Sequence, residues 1–306
     1  MARAWRLLAG LAVLLAAGPA AAEPVPFADV HLHFNWDHEE LIQPAEAVRR
    51  LRAENVVLGV VSGVPAERAL KLRRAGGDWI IPLFSPYIHF RGRTDWFTDP
   101  RVVEQARAGL ASGAYFGIGE VHFIAGVGPR WDNEVFQGLL DLARKFEVPV
   151  LIHTESSSHE YFEPVCKGNP GIRFQWAHAG ARLGPDEVGA LMAACPNVWT
   201  EFSARDPGRY GKFADPDGHL DPAWVALLKR FPDRFMTGSD PVWPPGSLYR
   251  WDVADSGWDR LGQFLDYHRA WLDRLPPDLA GKIRLENAVD FYGFVLETRA
   301  GNLRVD

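Results

Sequence analysis

The feature that most constrains this fold is a regular alternation of short apolar segments with segments of helical periodicity. Near-continuous apolar strands that alternate with helices are typical of a parallel sheet covered on both faces. Eight such units predict an α/β domain with the architecture of a (β/α)8 TIM barrel. An open doubly wound sheet is disfavoured because no Gly-x-Gly-x-x-Gly follows the first strand. The predicted strands cover residues 27–33, 55–62, 79–88, 115–123, 148–153, 172–178, 198–202 and 235–238.

The intervals between the predicted strands carry the helical pattern, and helices also close the chain. Extra C-terminal helices are predicted over 257–275 and from about 286 to 298. No linker, repeat or low-complexity tract breaks the stretch 23–306, so we predict a single domain there. The other predicted helices cover residues 44–54, 65–75, 100–112, 133–146, 158–167, 185–195 and 222–231.

The first 22 residues have the pattern of an export signal. Arg3 and Arg6 precede an apolar run over 7–17 that is too short to span a membrane comfortably, and small residues at 20–22 offer a cleavage site. A cleaved signal peptide over 1–22 predicts a periplasmic or secreted protein, with no stable membrane association after cleavage. An uncleaved N-terminal anchor is the alternative.

The charge balance argues against a nucleic-acid partner. The chain has 33 Lys and Arg against 39 Asp and Glu, a formal net charge of −6, and no basic tract. We therefore expect a small-molecule substrate as the partner. The oligomeric state stays open, with a homodimer as one option.

The two cysteines, Cys166 and Cys195, each lie near the end of a predicted helix. An oxidising compartment permits a disulfide between them if the two helices are neighbours. Two buried free thiols are the alternative.

Two histidines, His31 and His33, lie at the end of the first predicted strand. Successive side chains of a strand alternate between its two faces, so both imidazoles point the same way and Leu32 points the other. Two imidazoles on one face can form half of a divalent-metal site. Such a pair also arises by chance, so its meaning depends on partners elsewhere in the chain.

Those partners follow at the ends of later predicted strands. In a barrel, the C-terminal strand ends converge on one mouth, where active sites are built. Each candidate comes directly after an apolar strand, and five strand ends agree. We therefore predict a metal site at the C-terminal mouth of the strands. Its candidate ligands are His31, His33, Glu120, His153, His178 and Asp240.

With these residues in this order, the sequence resembles the amidohydrolase superfamily of metal-dependent hydrolases. Within it, the sequence is most similar to amidohydrolase family 2, the branch that includes aminocarboxymuconate-semialdehyde decarboxylase-like proteins. The segment 282–288 also resembles the closing helix of that superfamily. The resemblance spans nearly the whole chain after the predicted signal.

The resemblance implies a divalent metal, most often zinc, held by His31, His33 and Asp240, with His153 as a further ligand. It also implies that metal-activated water attacks the substrate, with Asp240 as the proton shuttle. His178 would polarise the substrate carbonyl or ligate a second metal. Neutral imidazoles and a carboxylate suit zinc chemically.

Glu120 decides between one and two metal ions. Binuclear members of the superfamily have a bridging carboxylate or a carboxylated lysine on the fourth strand, and the TatD-like branch uses a glutamate there. Mononuclear, decarboxylase-like members need none. As the alternative, Glu120 would orient a ligand histidine by hydrogen bonding.

Four further residues are candidates for substrate binding. Arg205 follows the seventh strand and could bind a substrate carboxylate bidentately, or be a surface loop arginine. His122 shares a strand face with Glu120, which places it in the pocket. Trp36 and Trp243 follow the first and eighth strands, where they could wall the pocket or pack under loops.

The primary hypothesis is therefore an exported metal-dependent hydrolase that opens an ester, lactone or amide of a small molecule. The close alternative is a metal-dependent non-oxidative decarboxylase of a small unsaturated acid. A metal-free glycosidase with Glu120 and Asp240 as its carboxylate pair would leave four histidines unexplained. A non-catalytic barrel that binds a ligand is the remaining alternative.

Overall fold

Parallel strands alternate with helices throughout the structure, a computed structural model. It describes residues 25–36, 41–89, 92–154, 158–211, 213–243 and 257–293. The segment predicted to be a signal peptide lies outside these residues. The strands are Phe27–His33 (β1), Val56–Ser62 (β2), Ile80–Pro82 (β3), Ile118–His122 (β4), Val150–His153 (β5), Phe174–Trp176 (β6), Val198–Glu201 (β7) and Phe235–Met236 (β8).

A helix follows each of the eight strands, and the C-terminal helices continue beyond the last unit. No helix among the described residues is long and apolar enough to cross a membrane. A 3-10 turn, Gly257–Arg260, precedes α8, and a π-helical turn, Lys282–Glu286, follows α9 and leads into helical residues 287–293. The α-helices are Pro44–Ala53 (α1), Glu67–Gly76 (α2), Arg101–Ala111 (α3), Glu134–Lys145 (α4), His159–Gly168 (α5), Pro185–Ala194 (α6), Pro222–Arg230 (α7), Leu261–Leu272 (α8) and Pro277–Gly281 (α9).

Local sequence signals begin several of these helices. Pro44 occupies the first turn of α1, where its missing N–H costs nothing. The side chain of Asn133 accepts a hydrogen bond from the amide of Phe136 at 3.0 Å, and that of Asp221 accepts one from Ala223 at 2.8 Å. These caps satisfy amides that the first helical turn leaves without partners.

The third strand is shorter than predicted. The prediction covered 79–88, whereas the ladder of β3 ends at Pro82, and Phe84 makes one isolated bridge beyond it. Proline has no N–H to donate, and prolines at 82 and 86 remove two donors from this segment.

Consecutive strands pair in parallel, in one sheet of β1–β3 and another of β4–β8. Backbone hydrogen bonds join the two sheets along both edges. Phe84 donates to the carbonyl of Gly117 at 2.9 Å on the side of β4, and Val30 of β1 donates to Thr237 after β8 at 3.0 Å. The predicted (β/α)8 architecture is confirmed by this continuous parallel arrangement.

The barrel interior is closed by the C-terminal helix at the end opposite the strand tips. Ala288, Phe291 and Tyr292 of that helix join the cluster of buried residues that includes Ala28 and Val30 of β1. Helices pack outside the strands over a larger apolar cluster. The polar ends of the strands are thus left as the open mouth.

The two cysteines form a disulfide between neighbouring elements. Cys166 lies in α5 and Cys195 directly follows α6, and their Cα atoms are 6.0 Å apart. The alternative of two free thiols is therefore wrong.

Candidate metal centre

Six side chains from five strand ends meet at the C-terminal mouth of the barrel, and all six are 5% exposed or less. Burial of so many ionisable groups costs several kcal/mol unless they pair with each other or bind a cation. Their sequence separations are large, so the barrel itself brings them together. They are His31, His33, Glu120, His153, His178 and Asp240.

One group of donor atoms comes from β1 and the segment after β8. The Nε2 atoms of His31 and His33 are 3.2 Å apart, and His33 Nε2 lies 3.4 Å from Asp240 Oδ1. Ligands on a tetrahedral zinc ion, with bonds of about 2.0–2.1 Å, lie about 3.3 Å from one another. The spacing and the donor types of these three residues therefore fit one divalent cation.

A second group comes from β4, β5 and the turn after β6. His153 Nδ1 lies 2.7 Å from Glu120 Oε1 and 3.1 Å from His178 Nε2. The other carboxylate oxygen of Glu120 lies 3.2 Å from His33 Nε2. Glu120 thus contacts both groups, as a bridging carboxylate would: Oε2 contacts the first group, and Oε1 contacts the second and also lies 3.5 Å from His31 Nε2.

The carboxyl group of Glu120 is held in its ionised form. Burial raises its pKa, but the imidazoles of His31 and His153 outweigh burial, so the pKa lies well below its ordinary value. An ionised carboxylate is the form that ligates a metal.

Glu201, at the end of β7, orients one of the candidate ligands. Its Oε1 lies 2.8 Å from His31 Nδ1 and accepts the backbone amide of His178 at 2.9 Å. Burial raises the pKa of Glu201, but the charge and hydrogen bond of His31 outweigh burial and hold it at about 2. A carboxylate can only accept, so the proton of His31 lies on Nδ1 and the lone pair of Nε2 faces the centre.

The backbone conformation of His178 and the hydrogen bonds of its ring fix the position of its imidazole. Its φ of 57° lies in the left-handed region, which a non-glycine residue occupies at a cost of about 1–3 kcal/mol. Nδ1 contacts the hydroxyl of Ser203 at 2.8 Å and its carbonyl oxygen at 3.1 Å. Asp240, with a φ of 47°, shares this backbone strain, which is typical of functional sites.

A cavity of about 120 Å³ opens beside these groups. His122 and Trp243 line it, at the positions predicted for substrate contacts. Arg93, in the 3-10 turn Gly92–Thr94 after β3, lines it as well. The complete lining comprises His33, Arg93, Glu120, His122, His153, His178, Tyr210, Asp240, Val242 and Trp243.

Two predicted substrate contacts lie elsewhere. Arg205 is fully buried, with its guanidinium 5.1 Å from the ring centroid of Trp224 and an Nη2 donor to the carbonyl of Leu183 at 3.1 Å. Trp36 is 40% exposed in a turn and does not line the cavity either. Neither Arg205 nor Trp36 therefore lines the described cavity, and their predicted substrate contacts stay predictions.

Sequence reasoning did not assign Glu201 or Arg93. Glu201 ends an apolar strand, so the rule that selected the histidines could have selected it. Arg93 follows a third strand that was predicted too long, which obscured its place at the mouth.

Solved structures of low sequence identity share the fold. A protein provisionally named 2-pyrone-4,6-dicarboxylic acid hydrolase from Pseudomonas putida has 16% identity and a TM-score of 0.58, with 88% of this chain and 98% of that chain covered. A TatD homologue from Escherichia coli has 15% identity and a TM-score of 0.58, with coverages of 87% and 98%. A zinc-bound amidohydrolase from Burkholderia multivorans has 15% identity and a TM-score of 0.50, with coverages of 88% and 99%.

No curated protein sequence matches the chain. The amidohydrolase family model, in contrast, matches residues 28–294, which include every candidate ligand of the centre. The donor groups at the strand ends suit the divalent metal that this family uses. The chain is therefore a metal-dependent hydrolytic enzyme that belongs to amidohydrolase family 2.

Proposed function

We propose that the chain is an exported hydrolase that opens an ester, lactone or amide bond of a small anionic molecule, with zinc as its metal. The observation that carries this proposal is the position of Glu120, whose carboxylate contacts both groups of metal-donor atoms. The resemblance associates a carboxylate at this place with two-metal, hydrolytic members.

A divalent metal in such a site acts as a Lewis acid and lowers the pKa of water to about 7. In this proposal, Asp240 accepts the proton of the attacking water and returns it to the leaving group. Its side chain lines the cavity, and its backbone amide donates to His31 at 2.8 Å. Its carbonyl oxygen accepts from Arg209 Nη1 at 2.6 Å, which further limits movement of the carboxylate.

The cavity supports a small substrate with a negative charge. A cavity of about 120 Å³ at the mouth suits a small molecule. Arg93 lines the cavity, and a guanidinium can bind a carboxylate bidentately. Tyr210 and Trp243, whose ring centroids are 6.1 Å apart, supply flat apolar surface.

Export to the periplasm or beyond is part of the proposal. The disulfide between Cys166 and Cys195 supports it, because disulfides persist mainly in oxidising compartments. N-terminal sequencing of the protein from a bacterial periplasmic fraction tests it. A mature N-terminus at Glu23 is expected, and an uncleaved chain would contradict export by a cleaved signal.

The chemistry is tested with tag-free, zinc-loaded protein on dihydrocoumarin, 4-nitrophenyl acetate and carboxylate-bearing analogues of both. We expect the enzyme to release acid from these substrates. A chelator should abolish this release, and added zinc should restore it. Release of carbon dioxide from small unsaturated acids, with no hydrolysis of the panel, would instead select the decarboxylase. Turnover that resists the chelator would contradict a metal-dependent reaction.

A further inference from the structure

The imidazole of His122 differs from its neighbours at the mouth. It follows Glu120 by two residues on β4, so both side chains lie on the same strand face. Its side chain is 22% exposed and lines the cavity, whereas the His33 and His153 side chains are 6% exposed or less. His122 is therefore the most accessible imidazole of the three.

Tyr87 contacts His122 twice. The backbone amide of His122 donates to the Tyr87 hydroxyl oxygen at 3.0 Å, and the same hydroxyl is hydrogen-bonded to Nδ1 of the His122 ring. An amide can only donate, so the oxygen accepts there, and its own proton is available for Nδ1. Tyr87 is 2% exposed, which favours a partner within the protein for that proton.

These contacts give His122 and His31 opposite tautomers. In His31, Nδ1 faces the Glu201 carboxylate and carries the proton, so Nε2 has the lone pair that a metal requires. In His122, an Nδ1 that accepts the Tyr87 proton leaves the ring proton on Nε2. A protonated Nε2 is a hydrogen-bond donor and cannot ligate a metal.

The donor of His122 lies beside the candidate centre. Its Nε2 is 3.9 Å from Glu120 Oε2, beyond hydrogen-bond distance, although both groups line the same cavity. The ring centroid of His122 is 4.6 Å from that of His153, which limits rotation of both rings. The Nε2 atom of His122 thus lies beside Glu120 in the lining of the cavity.

We propose that Tyr87 fixes His122 as its Nε2–H tautomer, and that His122 donates a hydrogen bond to the substrate carbonyl oxygen as negative charge develops on it. The donor role rests on the proposed hydrolytic function, whereas the tautomer does not. His122 is then a catalytic residue, and Tyr87 is a positioning residue that acts through it.

The tautomer is tested by long-range ¹H–¹⁵N NMR on the full chain with ¹⁵N-labelled histidine, with and without zinc. The His122 signals are assigned by their loss in His122→Gln. We expect a protonated Nε2 and an accepting Nδ1 in the wild type, and a second tautomer or protonation state in Tyr87→Phe. A proton on Nδ1 of the wild-type ring would overturn the proposal, whatever the activity.

The donor role is tested by kinetics on dihydrocoumarin and 4-nitrophenyl acetate. Loss of one preorganised donor to an oxyanion costs about 100-fold or more in kcat. We expect such a loss in His122→Leu, a smaller loss in His122→Gln because its amide keeps a donor, and little change in KM in either. Equal kcat in the wild type and His122→Leu would overturn the role.

Tyr115→Phe is the matched control for Tyr87→Phe. Tyr115 is also a buried tyrosine, in edge contact with Phe84, but it does not line the cavity. We expect Tyr87→Phe to lower kcat and change its pH profile, and Tyr115→Phe to do neither. Equal effects of the two variants would mean a structural role for Tyr87 and would overturn its positioning role.

The inference and the proposed function fail in different ways. If the zinc-loaded wild type turns over neither probe, the proposed function and the donor role are contradicted together, while the NMR result decides the tautomer. If the wild type is active and His122→Leu keeps its activity and zinc content, only the donor role is contradicted.

Discussion

The Nδ1 atom of His31 lies 2.8 Å from a carboxylate oxygen of Glu201, so the end of β7 orients a candidate ligand at the end of β1. Both side chains are fully buried. The carboxylate keeps Nε2 aimed at the centre and makes the imidazole a stronger ligand.

We therefore predict that Glu201→Gln weakens metal binding. Loss of such a supporting partner typically costs about 10- to 100-fold in metal affinity. Competition between the protein and a chromogenic zinc chelator measures the change. Glu67→Gln, on the exposed side of α2, is the control and should bind zinc as the wild type does. An unchanged affinity in Glu201→Gln would contradict the orienting role.

Arg93 is predicted to set the preference for anionic substrates. Arg93→Met removes a charged hydrogen-bond donor worth about 1.5–3 kcal/mol. KM for a carboxylate-bearing ester should rise about 10- to 100-fold, while KM for the neutral ester stays nearly constant. The exposed Arg101, which pairs with Asp99, supplies the control Arg101→Met. Equal changes for the charged and neutral esters would argue against carboxylate recognition.

Arg205 is predicted to stabilise the fold and to have no part in substrate binding. Burial lowers the pKa of its guanidinium to about 10, and the group packs over the ring of Trp224. Arg205→Ala should lower the melting temperature by several degrees, because it removes about 2 kcal/mol or more of buried contact. KM of the folded variant should equal that of the wild type. A selective rise in KM for anionic esters would restore the substrate role.

His268 is predicted to make stability depend on pH. Burial lowers its pKa from 6.5 to about 4, and its ring donates from Nε2 to Gly238 and accepts from Trp271 at Nδ1. Between these values the unfolded chain binds more protons than the folded chain, so stability falls as the pH drops from about 6.5 to 4. The total effect is on the order of 3 kcal/mol.

Urea unfolding at a series of pH values measures this effect. His268→Gln keeps a donor towards Gly238 and should lose the part of the pH dependence that lies between pH 6.5 and 4. Parallel stability curves for the wild type and the variant over that range would show that His268 does not titrate as predicted.

Strand periodicity made much of the architecture predictable. The first strand, Phe27–His33, has the predicted bounds. Side chains alternate along a strand, so His31 and His33 could also be predicted to lie on one face. Selecting the polar residues that end or directly follow apolar strands then identified all six residues that meet at the mouth. These successes depend on local pattern and on the known geometry of a barrel.

What the sequence did not reveal depends on contacts over long separations. The pairing of His31 with Glu201 joins residues 170 positions apart, so a position at a strand end could mark Glu201 as a candidate but could not identify its partner. Arg205 follows the same strand and looked equally suitable, but its side chain is buried in the core. The direction of a side chain after a strand is set by the local backbone, which residue type alone does not specify.

The most direct test of the proposed two-metal centre is the number of metal ions bound per chain. It is measured on tag-free protein by inductively coupled plasma mass spectrometry after zinc loading and dialysis. We predict two zinc ions per wild-type chain, and one or none in Glu120→Ala, because Glu120 contacts both groups of donor atoms. A wild-type chain without bound metal, or a Glu120→Ala chain that still binds two ions, would contradict this centre.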